Sequence, residues 1–406
     1  MKERCFRPKE VSEIMAEIPV DSLLQCLVEC SQKAAKIAQI FRDEEDLFGL
    51  LVERKSDIKK NKQLIQDYKT LADVLVQETI KKDVGEKFPA VKSKIQGEEQ
   101  NQFQNALGES ILVELTDSPD DTVNLLYKVL DGRENVAKRL ASVVHSSKAM
   151  DTKEYSSSST IPADTIGIWI DPIDSTAEYI QAKSDETEDH NIQTYGLRCV
   201  CVLIGVYCIQ TGNPIIGVIN QPFYKKEEAS SEWENKFFWG INYNTETASS
   251  ITWNEEDKER TKIIVISSSE SDELQDVMRT KYTVIHAAGA GYKALLVATM
   301  KADLYILSQP NTYFWDTCGP HALLSAKNGG IVNFQDKTAI KNKDELTNFQ
   351  IKYFPNKDVT GTHRFQNFKG IIAYRDSNDV IEFFNLLREN GYYFKTLKKN
   401  EIKYLL

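Results

Sequence analysis

Residues 166–176 read Ile166-Gly167-Ile168-Trp169-Ile170-Asp171-Pro172-Ile173-Asp174-Ser175-Thr176, an apolar run that ends in two carboxylates three apart. The run Ile166 to Ile170 predicts a buried strand. Pro172 lacks the N–H a ladder needs, so the chain is expected to turn there. Such a turn aims Asp171 and Asp174 at a common point, and the carbonyl of Ile173 offers a further hard oxygen. Magnesium takes oxygen donors of this kind in near-octahedral geometry. If a helix follows, the amides of Ser175 and Thr176 face an anion. Taken alone, the pair reads first as helix capping by Asp174 or Ser175.

Working outward, Arg198 to Ile209 and Ile215 to Asn220 flank Thr211-Gly212-Asn213-Pro214, which predicts a hairpin. Upstream, Val91 to Glu99 reads as a short strand ending at Gly97, and Glu109 to Leu115 alternates like a strand. Ser118-Pro119 spells a helix start. Asp21 can cap a helix with one buried face through Leu27, Cys30, Ala34, Ile37 and Phe41. Lys55 to Lys62 reads as a solvated connection, with a second helix opened by Thr70. Residues 146–165, including Ser156 to Ser159, read as an exposed loop. Downstream, Ile263 to Ser267, Asp303 to Ser308 and Gly370 to Arg375 read as strands alternating with helical or loop segments, as in α/β domains. The expected organisation is an N-terminal extension (1–20), an α+β domain (21–260) and an α/β domain (261–406).

Composition narrows the function classes. A chain of 406 residues can bury a large core without staples, and its seven cysteines are scattered and odd in number. With no apolar leader in MKERCFRPKE and no long apolar run, a cytosolic, non-membrane protein is expected. A net charge of −10 argues against sequence-independent nucleic-acid binding. An acidic protein also repels anionic substrates, unless bound cations reverse the local field.

Other carboxylates stand in suggestive places. Gly97-Glu98-Glu99 puts two beside a glycine at a strand end, Asp73 lies three after Thr70 in capping-box spelling, and Trp315-Asp316 precedes a helix-like run through Ala322 and Leu324. Each alone reads as a cap or a solvated turn. Together, Thr70-Leu71-Ala72-Asp73, Gly97-Glu98-Glu99, Asp171-Pro172-Ile173-Asp174-Ser175-Thr176 and Trp315-Asp316 resemble the signature of the lithium-sensitive, magnesium-dependent phosphatases. That superfamily includes inositol monophosphatases, bisphosphate nucleotidases and inositol polyphosphate 1-phosphatases. The pattern is most similar to the last group, through Asp67 to Gln77, Gly217 to Phe223 and Ala287-Ala288-Gly289-Ala290-Gly291-Tyr292-Lys293.

The resemblance implies a layered αβαβα sandwich of the inositol monophosphatase and fructose-1,6-bisphosphatase type. It implies one Mg2+ on Glu98, Asp171 and the Ile173 carbonyl, and a second on Asp171, Asp174 and Asp316. A third, weaker ion would stand near Glu98, with Asp73 and Glu99 completing the metal set and Li+ acting as inhibitor. Asp73 and Thr176 would orient and deprotonate the attacking water, with Glu98 close by. Asp174, Ser175, Thr176, Ser269, Gly289, Ala290 and Lys293 would surround the substrate. The implied activity is removal of the 1-phosphate from inositol 1,4-bisphosphate and inositol 1,3,4-trisphosphate, by a monomer serving phosphatidylinositol signalling.

Two departures bear on substrate choice: Ser271 stands where the polyphosphate phosphatases carry a lysine, and Gly319-Pro320 is closer to the nucleotidase style. A 3'(2'),5'-bisphosphate nucleotidase is therefore the alternative enzyme. A catalytically silent inositol phosphate-binding regulator is the alternative from another class, which six intact acids speak against. Other mechanisms fail on spacing: there is no Asp-x-Asp, no Cys-x5-Arg, no nucleotide P-loop and no zinc spacing among the five histidines. Lys293 is by default an exposed lysine at a helix start, His286 and His321 read as ordinary polar or core residues, and Cys318 as a packed thiol.

Overall fold

Ile166 to Asp174 is buried at every position, so neither face of this strand can be solvated. In the computed structural model, which describes residues 16–44, 58–104, 110–146, 155–181, 188–253, 261–335, 340 and 342–392, with only the backbone of 58–70, 103, 104 and 188, helices cover both faces. The first sheet holds β1 (Ile95–Gly97), β2 (Ile166–Asp174), β3 (Cys201–Cys208), β4 (Pro214–Lys226), β5 (Trp233–Tyr243) and β6 (Glu246–Ser249) in the spatial order β6-β5-β4-β3-β2-β1. All neighbours are antiparallel except β1 and β2, which run parallel with Gly97 opposite Ile170.

The second sheet holds β7 (Ile263–Ile266), β8 (Thr283–His286), β9 (Leu304–Leu307), β10 (Gly330–Asn333) and β11 (Ile371–Tyr374), ordered β8-β7-β9-β11-β10. Strands β8, β7 and β9 are mutually parallel, and β11 is antiparallel to β9 and β10. Helices α1 (Val20–Asp43) and α2 (Ile58–Lys87) form one outer layer, with α1 lying on β3, β4 and β5; the pair α3 (Pro119–Val129) and α4 (Glu134–Val144) packs beside α1. After the short α5 (Thr176–Gln181) come α6 (Asp272–Arg279), α7 (Ala290–Ala298), α8 (Phe314–Ser325) and α9 (Ser377–Glu389). Helices α7 and α8 fill the space between the sheets, while α6 and α9 cover the far face of the second. The result is an αβαβα sandwich of mixed sheets.

The middle layer decides where the site sits. Helix α8 packs almost backbone to backbone on the first sheet, because a Cβ on Gly217 would stand 2.1 Å from the Gly319 carbonyl oxygen, and one on Gly205 would stand 2.5 Å from the Gly319 nitrogen. Gly319 is thus accounted for by packing. Trp169 and Leu203 of the first sheet, Tyr292 and Cys318 of the middle helices and Val265 and Tyr305 of the second sheet share one apolar cluster.

Several local expectations are corrected. Strand β2 continues through Pro172 to Asp174, and the ladder accommodates the proline by a register shift between Asp171 and Asp174. Helix α2 begins at Ile58, so the second half of the lysine run is helical and Thr70 lies inside the helix; lysine is a good helix former and the charge run alone could not reveal this. Pro19, not Asp21, is the N-cap of α1, and α1 is buried on more than one side because α2, α4 and the sheet all contact it. Glu17–Pro19 pairs with Thr160–Pro162, giving strand to both the supposed extension and the supposed loop. Residues 1–15, 45–57, Glu109, 147–154 and 254–260 lie outside the described residues. The predicted cap Ser118 accepts the Asp121 N–H at 3.2 Å, and the Gly212 hairpin joins β3 to β4.

Candidate metal centre

Three carboxylates converge where β2 ends and α8 begins. Asp171, Asp174 and Asp316 each place a carboxylate oxygen within 4.8 Å of the others. Asp171 and Asp174 come from the irregular end of β2, and Asp316 sits in the first turn of α8. Asp316 is not the N-cap: it is third in the helix and accepts the Tyr313 N–H at 2.6 Å. Asn367, buried at 4% exposure, secures that turn by donating toward Thr312 Oγ1, the Tyr313 carbonyl and Thr317 Oγ1 at 3.1–3.3 Å. No local motif marks Asn367 in the sequence, since its partners lie about fifty positions away.

The electrostatics are unfavourable for a protein holding these acids alone. Burial raises the Asp171 carboxyl well above the usual carboxylate range, and the charges of Glu98, Asp316, Asp174 and Asp73 add to it. Burial likewise raises Asp316, with Asp174 and Glu98 adding, against the pull of the Tyr313 N–H. Asp174 is raised by burial as well, opposed by the Lys293 charge and by the amides at the start of α7. Asp171 Oδ1 is fully buried and receives no hydrogen bond. A buried carboxylate oxygen without a donor costs several kcal/mol unless a cation meets it. The donor set is all oxygen, which suits a hard divalent ion such as Mg2+.

The remaining candidates differ in position. Glu98 is exposed beside this cluster, its N–H bonded to the Ile170 carbonyl at 3.2 Å. Glu99 is not a member of the three-carboxylate group; its main chain is clasped by the Gln77 amide, which gives 2.6 Å to its carbonyl and takes 3.0 Å from its N–H. Gly97 must be glycine for that clasp, because a Cβ there would stand 2.0 Å from Gln77 Oε1. Gln77 lies four positions after the buried Asp73 on α2, so one helical face carries both, a spacing visible in the sequence. The Ile173 carbonyl accepts the Thr176 hydroxyl at 3.0 Å. Ser175 adopts φ +69°, a left-handed conformation costing about 1 kcal/mol for a non-glycine residue, and its carbonyl then accepts the Glu178 and Tyr179 amides that open α5.

Asp174 is tied to the opposite wall. Its Oδ1 accepts the Ala290 N–H at 3.2 Å and its Oδ2 the Gly291 N–H at 2.9 Å, at the positive end of α7. Gly289 turns into that helix at φ +76°, where a Cβ would come 3.1 Å from Asp174 Oδ2. Lys293 is buried rather than exposed: its ammonium donates to the Ala287 and Gly289 carbonyls at 3.0 and 2.8 Å, and burial lowers its pKa to about 8 despite nearby Asp174. Ser269 is exposed in the loop after β7, which adjoins the loop after β8 through the Ala287 N–H and the Ile266 carbonyl. Both loops leave the carboxyl ends of parallel strands, the usual edge for ligands. Ser271 caps α6 by accepting the Leu274 N–H at 3.3 Å, which explains a serine there in purely local terms.

His321 is buried between Tyr353 Oη and Gln350 Oε1 at 3.1 and 2.8 Å, and burial holds its pKa down to about 3. The Cys318 thiol is buried and pushed well up, so it is no nucleophile. Among the described residues no helix is long and apolar enough to cross a membrane.

The pattern of the inositol monophosphatase family matches residues 90–378. Over 396 residues the chain is 40% identical to an inositol polyphosphate 1-phosphatase of Bos taurus, covering 91% of this chain and 98% of the relative. The corresponding Homo sapiens protein is 39% identical with the same coverages. A 3'(2'),5'-bisphosphate nucleotidase 1 of Dictyostelium discoideum is 29% identical, over 45% of this chain and 57% of the relative.

Proposed function

The chain belongs to the inositol monophosphatase family, and on that premise we propose that it is a phosphoric monoester hydrolase that removes the 1-phosphate of inositol 1,4-bisphosphate and inositol 1,3,4-trisphosphate. The observation that carries the reading is the cluster of the buried Asp171 and Asp174 with the half-buried Asp316, which is short of positive charge. Asp171, Asp174, Asp316, Glu98 and the Ile173 carbonyl would hold Mg2+, with Asp73 and Glu99 as further candidates, and Li+ would inhibit by competing there. Bound Mg2+ supplies acidity to water and countercharge to phosphoryl oxygens.

The protein's own residues would do the rest. The Thr176 hydroxyl, held against the Ile173 carbonyl, and the Asp73 carboxylate on α2 orient a water for in-line attack on phosphorus, its proton passing to Asp73, while the bond from phosphorus to the inositol oxygen breaks and that oxygen leaves as the alcohol with a proton from solvent. The amides of Ser175 and Thr176 face the transferring phosphate. Gly289 and Ala290 bring main chain close to the inositol ring, and Ser269 offers a hydroxyl from the facing loop. Lys293 sets the Gly289 turn through its two carbonyl contacts and supplies positive charge behind Asp174.

Substrate choice follows from the full-length similarity to inositol polyphosphate 1-phosphatases, which spans twice the share of the chain that the nucleotidase spans. The test is phosphate release from inositol 1,4-bisphosphate, inositol 1-phosphate and 3'-phosphoadenosine 5'-phosphate with Mg2+. Preference for the first supports the proposal, and preference for the nucleotide replaces it with the nucleotidase reading. Tight binding of the inositol bisphosphate without turnover would favour the silent regulator.

A further inference from the structure

We propose that a cavity bordering α7 and lined by none of the three clustered carboxylates is a second anion site, taking a small organic molecule with two or more phosphates. The cavity measures about 460 Å³ and is walled by Arg198, Lys225, Lys236 and Lys301 over an apolar floor that includes Phe238 and Tyr292. That volume is ordinary for a small-molecule site. None of the described residues lining it is acidic, although the chain as a whole carries −10. Three lysines and an arginine around a cavity with no acidic side chain in its described lining make a locally positive field in a negative protein, which concentrates polyanions.

Lys225, Lys236 and Lys301 make no ion pair among the described residues. Lys236 instead lies 3.3 Å from the Tyr224 hydroxyl and over the Tyr224 and Phe238 rings, and Lys301 reaches the Asn191 carbonyl at 3.3 Å. These are weak holds, readily exchanged for phosphate oxygens. The wall itself is fixed by buried amides: Gln221 donates to the Arg198 carbonyl at 2.9 Å and Gln193 to the Tyr195 carbonyl at 3.0 Å. None of Ser175, Thr176, Ser269, Gly289, Ala290 or Lys293 lines the cavity, so it is separate from the substrate set. The two places still share α7, whose first amides hold Asp174 while Tyr292, Leu295 and Thr299 face the cavity.

The test is calorimetric titration of the full chain with myo-inositol hexakisphosphate in EDTA, where the carboxylate centre has no cation and repels the probe. Saturable one-to-one binding is expected. It should weaken about tenfold or more in Lys225→Glu/Lys236→Glu and measurably in Lys225→Ala/Lys236→Ala, both exposed changes. Asp171→Asn should leave it unchanged. Absence of saturable binding, equal binding by both double variants, or its loss in Asp171→Asn would each overturn the proposal. The inference does not depend on the catalytic reading, because the experiment contains no metal and no turnover.

Discussion

The molecule buries carboxylates in two places by opposite means. In the second sheet, Asp303 is 3% exposed and meets Arg375 at 3.2 Å, while Asp379 and Glu382 of α9 meet Lys262 at 2.6 and 2.7 Å and Glu382 also meets Lys281 at 2.6 Å. There the chain supplies its own cations. At the end of β2 and the start of α8, Asp171, Asp174 and Asp316 face one another, and Asp171 Oδ1 has no donor at all. The first arrangement stabilises the fold as synthesised, and the second makes sense only if a cation arrives from solution. Burial without a partner is the mark of a site, and burial with one is the mark of a scaffold.

The largest effect should come from emptying the centre of charge. Asp171→Asn should lower kcat/KM about a thousandfold or more on inositol 1,4-bisphosphate, while raising the melting temperature in EDTA, because it removes an uncompensated buried charge. A variant less stable than the parent in EDTA would put Asp171 with the scaffold acids. Breaking the scaffold should do the reverse: Arg375→Met takes the guanidinium away from buried Asp303 and should cost about 3 kcal/mol of stability by urea unfolding. Residual folded enzyme should keep its kcat.

Next in size is the packing that delivers Asp316. Gly217→Ala drives a methyl into the Gly319 carbonyl and should cost about 1–3 kcal/mol together with part of the activity. Asn367→Ala leaves the fold further intact, yet should lower kcat more than it lowers stability, since it frees the turn carrying Asp316.

The smallest effect is a difference in pH slope. The folded-state pKa values of Asp171, Asp174 and Asp316 are raised, so in EDTA their contribution is fully present below about pH 3.8 and is lost as pH rises through those higher values. Burial pushes Glu382 up, but Lys262 and Lys281 outweigh it and hold it below its ordinary value. Its contribution is therefore present above about pH 4.5 and is lost as pH falls through the lower value. Metal-free melts across acid pH should separate the two: Asp171→Asn flattens the descending limb, and Glu382→Gln flattens the rising one.

How far these features could be read beforehand depended on how local they are. The strand leading into Asp171 and Asp174, the Ser118 cap and the Gly212 hairpin are encoded within a few residues, and the structure has them. The acids Asp73, Glu98 and Asp316 are visible only as a set, through resemblance, because Asp73 and Asp316 each spell a cap and Glu98 a solvated turn. The start of α2 at Ile58 is not legible in the sequence, because lysines suit both a helix and a solvated link. The burial of Lys293 is invisible locally, since the ring its ammonium lies over is Tyr305 of β9, twelve positions on. Ser271 read as the loss of a phosphate ligand, whereas its hydroxyl is occupied as a helix cap.

The most direct test is a Mg2+ titration of metal-free protein followed by its melting temperature, in parent and Asp171→Asn. The parent should take up Mg2+ saturably and melt higher with it, and the variant should melt at one temperature with or without Mg2+. A parent indifferent to Mg2+, or a variant stabilised as much as the parent, would contradict a cation site at these carboxylates.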